Sequence, residues 1–177
     1  MSHGTSSNPA KNLHPVKRYE VVATSDAPGP WDSIEGYIGY DIVNTGCIPL
    51  APFLGERSLT SIGLTIEMTR VDDHTWKGYF YRDAFQDEDY ADHGVCHWDA
   101  DSIGVSATFQ GVRFNWSTWL DALKHESFDT AYFRKSVYGD RSFASSGAPA
   151  LTAEDPEVRE YPAEYFRATV AVREDAP

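Results

Sequence analysis

Between Asp83 and Asp92 the chain sets five carboxylates, Asp83, Asp87, Glu88, Asp89 and Asp92, beside the rings of Phe85 and Tyr90. Three chemistries suit such a stretch. Hard cations take carboxylate oxygens, which would make it a calcium loop, but the EF-hand order with its central Gly and terminal Glu is absent. A solvated acidic loop is the plainest reading. The third is a recognition surface built from Asp83, Asp87, Glu88, Asp89, Tyr90 and Asp92, where negative charge steers a basic partner in and aromatic burial anchors it. On that reading the loop projects from a rigid strand pair, and its exposed charges are replaceable at little cost to folding.

Cys47 and Cys96 are the only cysteines. A zinc site would want more Cys or His at close spacing than His93, Cys96 and His97 supply. A thiol nucleophile assisted by His97 is poor, because neighbours on a strand point to opposite faces. Two buried thiols fit a reducing compartment, and a disulfide fits an oxidising one. Such a bond would close a loop of 96 − 47 = 49 positions, worth about 4 kcal/mol by loop entropy.

No pattern singles out a catalytic centre. Carboxylate pairs for glycoside hydrolysis could be drawn from many acids, and no spacing selects one. Ser33 or Ser102 could be placed in an imagined triad, but no Gly-x-Ser-x-Gly elbow occurs, nor does a Gly-rich phosphate loop before a helix. The expectation is a non-enzymatic protein without cofactor or metal. Trp31, Trp76, Trp98, Trp116 and Trp119 could form a sugar-stacking platform, although Trp98 and Trp119 fall on expected inner faces.

The elements that must carry these residues read as strands. The 177 residues suit one core, with 15 Lys plus Arg against 27 Asp plus Glu and a net charge of −12. That balance argues against nucleic acid and anionic lipid as partners. No apolar run reaches the length of a membrane span, so no membrane insertion is expected. Residues 1–16 are polar and read as a disordered lead, with a single β-rich domain over 17–177. Period-2 alternation marks strands at Ile34–Val43 and Leu59–Val71, a hairpin return at Trp76–Arg82, and a further hairpin about Gln110-Gly111. Ile38, Ile62, Leu64, Ile66, Val105, Phe109, Val170 and Val172 are expected to share a core between two sheets. Trp116, Trp119, Leu120 and Leu123 fall at helical spacing and predict one short helix over 116–125. The fold class expected is all-β, an antiparallel β-sandwich-like domain with one short helix and a disulfide.

Three segments, Gly36-Tyr-Ile-Gly-Tyr-Asp-Ile-Val-Asn-Thr-Gly-Cys-Ile-Pro49, Asp83 to Tyr90 and Gly94-Val-Cys-His-Trp98, resemble a pattern in the immunity-type proteins encoded beside antibacterial effectors of type VI secretion. The resemblance spans about residues 18–173. It implies a β-rich, non-catalytic periplasmic protein with a Cys47–Cys96 bridge, which blocks a cognate toxin by binding it. The first ten residues hold no apolar run like a signal-peptide core, so the cytoplasm stands as the alternative compartment. From another class, the rival is a carbohydrate- or calcium-binding β-sandwich module, recognised by aromatic rings on an exposed concave face.

Overall fold

In a computed structural model that describes residues 9–48 and 61–175, the described residues form nine strands. They are β1 Arg18–Ser25, β2 Ser33–Ile42, β3 Ser61–Ile66, β4 Thr69–Asp72, β5 Thr75–Tyr81, β6 Trp98–Phe109, β7 Val112–Trp119, β8 Ser127–Arg134 and β9 Tyr165–Glu174. One sheet has the order β4-β5-β1-β9-β8 and the other β3-β2-β6-β7, with every pairing antiparallel. The arrangement is sandwich-like, and residues of both inner faces alternate with outward ones. Val21 and Ala23 of β1 and Ala168, Val170 and Val172 of β9 are buried, as are Ile38, Tyr40, Ile103, Val105 and Phe114 of the second sheet. At one end Phe114, Phe133 and Phe166 meet with ring centroids 5.1 to 5.7 Å apart. The β6–β7 hairpin turns at Gln110 and Gly111, whose φ of 49° and 80° make the paired left-handed residues of a tight two-residue loop.

Four local expectations change. The strand expected over Leu59–Val71 breaks after Ile66 and resumes at Thr69 in the other sheet, its first two residues lying outside the described ones. Met68 sits at the crossing, where a side chain at Gly36 or Gly78 would collide with it and with Ile66. Ile66 is therefore buried, while Leu64 is 37% exposed on the edge strand, and Ile62 and Phe109 are half-buried.

The helix expected over 116–125 is absent. Residues up to Trp119 form β7, with the alternating burial of a strand covered on one face. Its backbone groups are taken by β6 through a ladder from Phe109↔Val112 to Ser102↔Trp119, and a ladder of eight pairs outweighs a helical stripe of four residues. Trp116 is buried and donates from Nε1 to the Thr169 carbonyl at 2.9 Å. Trp119, expected inside, is 66% exposed. The short helix, α1 Pro156–Glu160, lies instead in the acidic, Pro-containing stretch after β8, with Asp155 before it and Pro156 at its first position.

Residues 1–8 of the expected disordered lead lie outside the described residues. From Ala10 onward the lead is laid along the acidic loop: Lys11 bridges Phe85, Asn12 N donates to the Ala84 carbonyl at 2.9 Å, and Gln86 N donates to that of Ala10 at 2.8 Å.

Candidate functional site

Cys47 and Cys96 are bonded, with Cα atoms 5.4 Å apart. Cys47 lies in a single 3-10 turn after β2, and Cys96 ends the acidic loop just before β6. The bond therefore joins the two chain segments that enter and leave neighbouring strands of one sheet. Asn44 reinforces it: Nδ2 donates to the Val95 carbonyl at 2.6 Å and Oδ1 accepts from His97 N at 2.7 Å.

The loop does not project freely. Phe85 is buried, edge-on to Tyr40 with centroids 5.0 Å apart, and packs against Trp98 at 5.6 Å. Glu88 and Cys96 exchange backbone bonds at 3.3 and 2.8 Å. The carboxylates then divide into two groups. Asp83 accepts from Val16 N and Lys17 N at 3.0 and 2.9 Å. Asp87 accepts from Trp98 N at 3.0 Å and meets His97 Nδ1 at 2.8 Å, and Asp89 accepts from His93 N at 3.2 Å. These three hold the loop's shape. Glu88 and Asp92 are exposed, with no side-chain partner among the described residues. Tyr90 is half-buried and donates to the Gln86 carbonyl at 2.6 Å, and burial pushes its hydroxyl pKa up. Trp98 Nε1 is buried without a partner at bonding geometry, although the Tyr90 hydroxyl feels its dipole.

Between this loop, the lead and the β7–β8 connection runs a cleft of about 720 Å³, lined among others by Asp83, Asp87, His14, His125 and Glu174. Arg82 occupies it, 6% exposed, and the sequence reading did not single it out. Its Nε and Nη2 donate to the two oxygens of Asp99 at 2.6 and 2.9 Å. Nη1 donates to the Tyr19 hydroxyl at 3.5 Å and to the Lys124 carbonyl, and Nη2 also donates to the Asp121 carbonyl. All five guanidinium N–H groups are thus consumed within the protein. Burial alone works against that charge, but Asp99 and Tyr19 outweigh it and raise the pKa above its ordinary value. Arg82 fastens the β7–β8 connection to β5; it has no donor left for a ligand. The available signal was a cation at the next inward position of an alternating strand, after Gly78 and Phe80, but its partner Asp99 is distant in sequence.

Both cysteines are in the disulfide, and among the described residues no three His, Cys, Asp or Glu side chains converge to hold a metal ion. The six residues expected to form the recognition surface lie on one continuous loop. Asp83 and Asp87 face the cleft, while Glu88, Asp89 and Asp92 are exposed. No described helix is long and apolar enough to cross a membrane. No family model, curated protein or solved structure matches the chain.

Proposed function

We propose that this protein is a non-enzymatic binder that neutralises a cognate protein effector, acting as an immunity protein in an oxidising compartment such as the periplasm. The observation that carries this reading is the acidic loop held in one shape from both sides, by the Cys47–Cys96 bond and by the bonds of Asp83, Asp87 and Asp89, with Glu88 and Asp92 left outward. A surface ordered before binding loses little conformational entropy when a partner docks. Its negative charge accelerates encounter with a basic partner, and Tyr90 sits beside it as the aromatic contact.

The test is a toxicity rescue in cells expressing the product of the neighbouring effector gene. The protein is supplied native or as Glu88→Gln/Asp89→Asn/Asp92→Asn at equal abundance, and association with purified effector is followed at two salt concentrations. The triple variant keeps the Asp87 bonds, and its amide at 89 keeps an acceptor, so it should fold as the native chain does. Association about tenfold slower, with a flatter salt dependence, is expected. Equal protection and equal kinetics would remove the loop from the interface.

A further inference from the structure

We propose that the outward face of the β3-β2-β6-β7 sheet is a binding trough for a neutral oligosaccharide. It lies on a different surface from the acidic loop and goes beyond the effector-binding reading. The trough, about 580 Å³, is walled by Tyr37 of β2 and Trp119 of β7 and floored by Gly39, Gly63 and Gly104. Register places the floor in one band, with Gly39 opposite Gly63 and Gly104 opposite both Tyr37 and Ser117.

Two features make this more than a smooth sheet face. The first is the exposure of the rings: Trp119 is 66% exposed and Tyr37 42%. The Tyr37 hydroxyl is held by Glu35 at 2.7 Å, which orients the ring. The second is the glycines. Mid-strand Gly costs stability and marks places where something approaches the backbone closely. A side chain at Gly39 would strike Asp101 and Ser102, but a Cβ at Gly63 or Gly104 would meet nothing nearer than 3.9 Å, and neither has the left-handed φ that excludes other residues. Among the described residues packing gives no reason for either glycine, and the space above them is open.

The lining chemistry selects the ligand class. A second hollow of about 290 Å³ continues the trough past Gly39 and Gly63 to Asp41, Ser61, Asp101 and Ser102. Burial and the hydrogen bond and charge of Asp41 push the Asp101 carboxyl up to about 6. Above that value the Asp101 carboxylate accepts hydrogen bonds from sugar hydroxyls, and the Ser61 and Ser102 hydroxyls beside it can donate or accept. Among the described residues neither hollow is lined by Lys, Arg or His, so an anionic chain would meet carboxylates there with no cation in the lining. Flat apolar ring faces for the sugar C–H surface, with a few polar groups at one end, match a neutral pyranose chain. Tyr37 and Trp119 stand two strand spacings apart and two residues offset along the strands, about 12 Å, the reach of a short oligosaccharide.

The test uses the full chain with maltohexaose, cellohexaose and chitohexaose, read by calorimetry and by tryptophan fluorescence, without effector. Saturable binding of at least one hexasaccharide is expected. Trp119→Ala should weaken it at least tenfold, and Gly104→Val, which fills the floor where a Cβ has room, should abolish it with an unchanged or higher melting temperature. Absence of binding by all three sugars at millimolar concentration would overturn the proposal, and so would binding unaffected by both variants. Effector neutralisation by the Trp119→Ala protein is scored separately. Loss of neutralisation with no sugar binding would assign the trough to the protein partner, whereas sugar binding with no neutralisation by the native chain would leave the trough standing and remove the immunity reading.

Discussion

The two concave regions of the molecule differ in where their polar groups are spent. At the centre of the cleft the charges are used internally: Arg82 gives all its N–H groups to Asp99, Tyr19 and two carbonyls, and Asp83 and Asp87 take backbone N–H groups. On the outer face of the second sheet, rings and hydroxyls stand over open glycines. The first region contains the more charge and the larger cavity, yet it is a clamp with charge left only on its rim. The second has fewer charged groups and keeps its surface for something else. Residue type alone does not mark a binding site; what decides is whether the group is already satisfied.

The sharpest way to break this contrast is to open the clamp. Replacing Cys47 and Cys96 by Ser should cost about 4 kcal/mol for a separation of 49 residues, seen as an earlier denaturant midpoint, and should loosen the acidic loop to hydrogen exchange while leaving the trough strands protected. Arg82→Met should cost about 3 kcal/mol by stranding Asp99. The double change Arg82→Met/Asp99→Leu should recover much of that loss in urea denaturation. No recovery would mean that the guanidinium does more than neutralise a buried carboxylate.

Smaller effects separate the clamp from its rim. Asp87→Ala should cost about 1 kcal/mol through the lost Trp98 N–H bond, whereas Glu88→Gln should leave the denaturant midpoint in place. These two variants test the expectation that the charges of the acidic stretch are replaceable at little cost to folding, against a structure in which Asp87 accepts a backbone bond and Glu88 is exposed. At the trough, Asp101 titrates near 6 against an ordinary 3.8. Over that interval the folded chain keeps a proton that the unfolded chain releases, so stability falls as pH rises through it and stays lower above. Asp101→Asn cannot titrate. It should gain on the native protein by about 1 kcal/mol between pH 4 and pH 8, after discounting for partial exposure, measured by thermal melts across that range.

Much of the fold was legible in residue order. Alternation along Ile34–Val43 and Tyr165–Val172 identified strands with one apolar face, the Gln110-Gly111 pair identified its turn, and a lone cysteine pair in a β-rich chain pointed to the bond now placed between Cys47 and Cys96. The acidic loop was legible as a unit because its charge is contiguous. The trough was not, since its residues come from four strands and each is unremarkable alone; the rule that large aromatics lie inside placed Trp119 on the wrong side.

What the sequence determined by itself was periodicity, turn chemistry and net charge, because each depends on neighbours within a few positions. Which sheet covers which face depends on distant partners, and only the tertiary structure decided it. It broke the segment about Met68 so that Ile66 and Thr69 serve different sheets. It kept residues 116–119 extended because β6 offered eight ladder partners to β7, and it brought Arg82 to Asp99 over a sequence separation of 17. Backbone hydrogen bonding and burial are satisfied over the whole chain at once, and at these places the long-range solution outweighed the local preference.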